Sequence, residues 1–175
     1  TGRLAADLAA DGWPSHTVRS RASDRLNYLR RPDLGRRLDE GDAGRLRDAR
    51  EHGCDLSLVI GDGLSSLAVE RHAVPLLRAL RPHLPEGLRL APVVIATQAR
   101  VALADEVGEA LRARLTVMLI GERPGLSSPD SLGVYLTYEP SPGRSDAERN
   151  CISNVRPQGQ PYEVAAGRLA WLIRE

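Results

Sequence analysis

The stretch TVMLIGERPGLSSPDSLGVYLTYEP carries an apolar strand straight into Gly121-Glu122-Arg123-Pro124-Gly125, placing one carboxylate and one guanidinium side by side at a strand end. A carboxylate without a partner acid is a poor acid–base machine but a good acceptor. The loop therefore suits a large ligand rich in amide donors better than a small substrate that must be activated. The structural alternatives for Glu122 are an ion pair with Arg123 or a bond to a helix end. The other reactive side chains form no constellation. There is no Gly-x-Ser-x-Gly elbow, and no His falls in a loop that ends a strand. Cys151, in RNCISNVRPQG, has no basic neighbour beyond Arg149, so no nucleophile–base pair emerges. No catalytic residue is assigned. His16, His52, His72 and His83 lack ligand spacing and no metal site is expected. Cys54 and Cys151 are too few for a disulfide framework.

These side chains need elements to hold them. From Cys54 onward the chain alternates. Asp55–Ile60 reads as a strand ending in GDG, and Leu64–Leu84 as a helix that Pro75 should kink or restart. Leu90–Ala96 reads as a second strand, and Val101, Ala104, Val107 and Leu111 line one face of a second helix. Leu115–Ile120 is a third strand, Ser131–Tyr138 a fourth, and a last helix starts near Pro161. Continuous apolar strands alternating with amphipathic helices predict an α/β fold, a parallel sheet with helices on both faces.

In such a sheet ligands lie beyond the carboxyl ends of the strands, so GDGLSS, TQAR and GERPG are the loops of interest. Gly61-x-Gly63 resembles the start of a dinucleotide fingerprint. The third glycine position is Ser66, however, and Thr97 and Gln98 stand where an acidic residue is required. Gly63, Ser65 and Ser66 at a helix start remain able to offer N–H groups to a phosphate or an amide oxygen.

Net charge is +1, which argues against nucleic acid or an acidic membrane as partner, and no apolar run approaches the ~20 residues of a membrane span. All 24 basic residues are Arg and none is Lys, a pattern that codon bias in a GC-rich genome explains. The chain opens on Thr1, so a natural N-terminal segment is expected to precede it. Residues 1–50 form an Arg-rich segment with one helix over Ser20–Leu29, followed by RRPDLGRRLDE. It is either a solvated face balanced by Asp24, Asp33, Asp39 and Glu40, or a docking surface for another protein. Residues 51–175 form the α/β unit.

SRASDRLNYLRRPDLGRRL, CDLSLVIGDGLSSLAVERHAVPLL, LIGERPGLSSPDSLGVYLTY and RNCISNVRP together resemble the small (light) subunit of ethanolamine ammonia-lyase, over Ser20 to Ile173. The resemblance implies a Rossmann-like lobe over adenosylcobalamin, paired with a large subunit whose (β/α)8 barrel carries the substrate. The family's cobalamin-contacting positions fall on Val101, Glu122 and Cys151. Core packing at Val101 and a merely buried thiol at Cys151 are the structural alternatives. No Asp-x-His-x-x-Gly loop occurs, so the cofactor is expected to keep its own axial base. The resemblance further implies a cytoplasmic enzyme complex within a bacterial microcompartment. The competing functions are a non-catalytic Rossmann-like binding module and a nucleotide-dependent oxidoreductase.

Overall fold

A computed structural model describes all of residues 1–175. The first fifty hold α1 (Gly2–Ala10), β1 (Ser15–Arg19), α2 (Arg25–Arg30), α3 (Pro32–Gly35) and α4 (Glu40–Ala49). β2 (Cys54–Gly61), α5 (Ser66–Leu80), β3 (Val93–Thr97), α6 (Leu103–Ala110) and β4 (Ala113–Gly121) follow. β5 (Leu132–Tyr138), β6 (Arg149–Val155) and α7 (Tyr162–Arg174) complete the chain.

The six strands form one sheet in the order β1-β3-β2-β4-β5-β6. The first four in that order are mutually parallel, whereas β5 runs antiparallel to β4 and β6 antiparallel to β5. The sheet is thus mixed, which corrects the expected all-parallel arrangement. The cause is connection length. A parallel neighbour needs a crossover of a dozen or more residues, usually helical, and the loop from Glu122 to Ser131 is shorter and holds no helix. The chain can only turn back on itself there.

β2 is buried along nearly its whole length because both faces are covered. On one face Leu56, Leu58, Ile60, Val117 and Leu119 pack against α1, α5 and α7. On the other, Val59, Val94, Met118 and Ile120 pack against α4 and α6. α5 runs through Pro75 as one helix rather than restarting. The hydrogen bond lost to Arg71 is outweighed by burial of Val74, Leu76, Leu77 and Leu80, each aliphatic side chain contributing about 1.5–3 kcal/mol. α7 begins after Pro161 and buries Ala165, Ala166, Leu169, Ala170 and Ile173, leaving Tyr162 and Leu172 half-buried.

β1 was not expected in the Arg-rich segment. It is an edge strand of five residues that buries Val18 and exposes His16, Thr17 and Arg19. Polar exposed side chains are how edge strands avoid further pairing. β6, the opposite edge, also carries too little apolar content to stand out, with Ile152 and Val155 its only buried apolar residues.

Candidate functional site

Three loops leave the carboxyl edge of the parallel strands, and their backbones are locked together. Asp62, just after β2, is the hub. Its Oδ1 accepts from the N–H groups of Gly63 (2.9 Å) and Ala99 (3.0 Å), and its Oδ2 from that of Gln98 (2.9 Å). Leu64 N–H donates to Gly121 O and Ser65 N–H to Asp62 O. Of the N–H groups that GDGLSS was expected to offer a phosphate, those of Gly63 and Ser65 are therefore already occupied. The glycines serve space instead. A Cβ on Gly61 would lie 2.5 Å from Met118 Cε, and one on Gly63 would lie 2.4 Å from Gly121 O. These contacts add to the missing third glycine and the missing acidic residue, which already set a dinucleotide aside in the sequence.

The N-terminal segment reaches this edge as well. Arg25 Nη1 donates to Gly63 O (2.8 Å), and Tyr28 OH donates to Ala99 O (3.2 Å). The guanidinium groups of Arg25 and Arg100 both lie over the Tyr28 ring, 4.7 and 4.5 Å from its centroid. Tyr28 is fully buried, so it belongs to the fold and not to an exposed docking surface. Much of the remaining Arg is paired, Arg19 with Asp39, Arg21 with Glu40 and Arg31 with Asp33 inside the segment, and Arg37 with Glu106 of α6. Asp24 instead caps α2 through Asn27 N–H (2.9 Å). Leu26 and Leu29 stay exposed.

Glu122 sits at the first position after β4, half-buried, with the exposed Arg123 beside it. Its carboxylate pairs elsewhere. Ser131 Oγ donates to Oε2 (2.6 Å), and Asn154 N–H is shared between Oε1 and Oε2, both at 3.3 Å. Gly133 makes the resting place, since a Cβ there would come within 3.0 Å of Oε1. Asn154 takes a left-handed backbone (φ 56°), which Asn tolerates better than most residues. A carboxylate has about four lone-pair sites, so these partners orient Glu122 without saturating it.

Cys151 lies on β6 directly opposite Tyr135 of β5 and is exposed, so it is not the buried thiol of the structural alternative. Desolvation by its neighbours raises the thiol pKa, with the Glu122 charge adding to the effect and the Tyr135 hydroxyl opposing it. At neutral pH it is a protonated, small side chain and not a nucleophile. Tyr135 is pushed up to about 12, first by burial and then by Cys151 and Glu122. Glu122, Tyr135 and Cys151 therefore share one electrostatic neighbourhood. Val101 lies half-buried in the turn before α6 and packs on the core beneath that helix. It stands at the same edge but not in hydrogen-bonding or charge contact with the other two.

The base of the Glu122 loop is pinned by a buried histidine. His72 Nε2 lies 2.9 Å from Asp130 Oδ2, so it is assigned as the donor, and Nδ1 lies 2.6 Å from Tyr162 OH. Arg71 Nη1 donates to the same Asp130 oxygen (3.0 Å) and holds that carboxyl below its usual range, with His72 assisting. Sequence reading missed Ser131, Gly133, Tyr135 and Asn154. The signal was available only as adjacency, because all four lie inside SPDSLGVY and NCISN, the stretches that bracket Glu122 and Cys151. No group of three or more His, Cys, Asp or Glu side chains is placed to hold a metal ion, and no helix is long and apolar enough to cross a membrane.

Fold and site together define an α/β protein with a mixed sheet, whose carboxyl edge carries an oriented acceptor rather than a nucleophile. The whole chain, residues 1–175, matches the family described as ethanolamine ammonia-lyase light chain (EutC), and it belongs to that family. It is 55% identical over 175 residues to the ethanolamine ammonia-lyase small subunit of Bradyrhizobium diazoefficiens, covering 99% of this chain and 67% of that protein. It is 61% identical over 172 residues to the small subunit of Azotobacter vinelandii, covering 96% of this chain and 64% of that protein. The chain thus spans about two thirds of the length of these relatives.

Proposed function

We propose that this chain acts as the small subunit of an adenosylcobalamin-dependent ethanolamine ammonia-lyase, and that it forms one wall of the cofactor site. A large subunit supplies the substrate site, and the assembly works in the cytoplasm, within a bacterial microcompartment. The observation that carries this reading is the Glu122 carboxylate. It is half-buried, aimed by Ser131 and Asn154, cradled over Gly133 and left with free acceptor capacity, in a chain of this family. Peripheral carboxamides of a corrin fit such an acceptor. Glu122 would accept from their N–H groups, Cys151 would leave room beside the ring, and Val101 would give an apolar contact from the start of α6. When bound, the cofactor supplies the radical chemistry that takes ethanolamine to acetaldehyde and ammonia, while the chain orients it and excludes competing reactions.

The test is reconstitution. Co-expressed with a large subunit of this family, the chain is expected to co-purify, bind adenosylcobalamin and form acetaldehyde from ethanolamine. Acetaldehyde production by the chain plus cofactor without that subunit would contradict the division of labour. In the complex, Glu122→Ala is expected to weaken cofactor binding about tenfold to a hundredfold, since a bond to a charged acceptor contributes roughly 1.5–3 kcal/mol. Glu122→Gln keeps an acceptor oxygen and should cost less. An unchanged Kd with a lowered Tm would make the carboxylate structural.

Docking of the large subunit is assigned to the exposed side of α2. Leu26 and Leu29 are exposed there and Arg30 has no acidic partner, a composition suited to an interface core with a polar rim. Replacing Leu26 and Arg30 together by Glu should reduce co-elution of the subunits and leave the chain's own Tm within about 2–4 °C, as two exposed substitutions away from structural contacts usually do. Full co-elution would place the interface elsewhere.

A further inference from the structure

We propose that Gln98 is a ligand-binding residue, whose side-chain amide hydrogen-bonds a carboxamide of the group occupying the crevice. This rests on the cofactor reading above and extends it to a residue outside Val101, Glu122 and Cys151.

The backbone is the first argument. Gln98 has φ 54°, one of four non-glycine residues in the left-handed region. Gln is not a residue type that favours this conformation, and it persists because the surroundings enforce it. Asp62 accepts from both Gln98 N–H and Ala99 N–H, so the loop is clamped at consecutive residues. Glycine would supply the same φ without strain. A strained side-chain-bearing residue, held rigidly, is a reason to look for a task that the side chain performs.

The side chain gives the second argument. Oε1 of Gln98 is buried and has no hydrogen-bond partner in the chain. Buried amide oxygens are nearly always paired, so this unpaired one gives up no bond when the soft χ3 torsion turns the amide to meet a ligand in the crevice. An amide offers both a donor and an acceptor face, which matches another amide by a reciprocal pair of bonds. A carboxylate or phosphate would use only half of it.

Position supplies the third argument. Gln98 directly follows β3, at the carboxyl edge where ligands of such sheets lie. β3 and β4 flank β2, so the strand ends bearing Gln98 and Glu122 stand two strand spacings apart, about 10 Å. A large ligand with several peripheral amides can reach both ends. Glu122 is then an acceptor for one amide, and Gln98 a two-sided partner for another.

The test uses the complex of this chain with a large subunit of the family, titrated with adenosylcobalamin, and Tm measured without cofactor. Gln98→Ala and Gln98→Gly are each expected to raise the Kd about fivefold to thirtyfold. Without cofactor, Tm should be unchanged for the Ala variant and unchanged or higher for the Gly variant. Cobalamin monocarboxylic acids, each with one peripheral amide hydrolysed, give a second readout. The unsubstituted complex should discriminate against one isomer that Gln98→Ala no longer distinguishes. Unchanged Kd in both variants, with normal binding by the unsubstituted complex, overturns the role of Gln98 alone. A loss of affinity that tracks a fall in Tm in both variants overturns it as well. Absence of cobalamin binding by the unsubstituted complex overturns the cofactor reading with it.

Discussion

Arg149→Ala is expected to destabilise the folded chain by about 3–5 kcal/mol, the usual cost of stranding one member of a buried ion pair. Arg149 begins β6 and grips Asp105 of α6 with both terminal nitrogens, each bond 2.7 Å. Both side chains are only 2% exposed. The same guanidinium donates to Thr137 Oγ1 (2.9 Å), Arg144 O (3.1 Å) and the exposed Asp146 Oδ1 (3.3 Å), so five acceptor atoms depend on one side chain. Removing it leaves the Asp105 carboxylate in the interior without a counter-charge. The pair also joins the strand bearing Cys151 to the helix that follows Val101, so cofactor affinity should fall with stability. Replacing both partners, Arg149→Met with Asp105→Leu, removes the stranded charge and should recover much of the loss. Denaturant unfolding of the single and double variants forms the check. A cost below about 1 kcal/mol for Arg149→Ala, or no recovery in the double variant, would show that the pair is not a structural tie. Such a buried pair should also respond little to salt.

Nothing local announces that pair. Arg149 and Asp105 are 44 residues apart, and Arg149 in the sequence is simply one of 24 Arg. What could be read from the sequence were features written into short windows. The runs DLSLVI, PVVIA and LTVMLI declare β2, β3 and β4 because both faces of those strands are buried, leaving no polar alternation. Glu122 was placed at the carboxyl edge because the apolar run of β4 ends at Gly121. β1 and β6 escaped because edge strands expose most of their side chains and so carry little apolar signal. The direction of β5 is fixed by loop length more than by its own residues, which is why a parallel sheet was expected. The GDG motif, which falls short of a nucleotide fingerprint in the sequence, keeps its glycines for a related reason. Its glycines answer to Met118 and Gly121 across the sheet, a requirement that looks in sequence like a nucleotide loop. The partners that aim Glu122 were equally out of reach. Asn154 lies 32 residues away and meets it only because β5 and β6 fold back on β4.

Gly121→Ala is expected to cost about 3 kcal/mol or more, at the upper end for overpacking, because there is no side chain to move out of the way. A Cβ at this position would lie 2.0 Å from Ser65 O, 2.6 Å from Asp62 O and 2.7 Å from Ser65 C, all of them backbone atoms. Gly121 does not take a left-handed φ, in contrast to Gly63 at +56°. Space alone therefore makes it glycine. Its carbonyl also accepts Leu64 N–H at 3.0 Å, so the strand end and the Asp62 loop are in direct contact on both sides. To admit a methyl group the Asp62 loop must withdraw. That movement loosens the clamp on Gln98 and Ala99, and it shifts Glu122, the next residue, off Ser131 and Asn154. Stability and cofactor affinity should therefore fall together, and amide exchange at Leu64 should accelerate, since its bond opens first. Gly125→Ala is the control within the same loop. A Cβ there meets nothing within 4 Å, and its effect should stay within about 0.5 kcal/mol. Equal effects at the two glycines would mean that the loop as a whole yields, and that close backbone approach at Gly121 does not hold the crevice in shape.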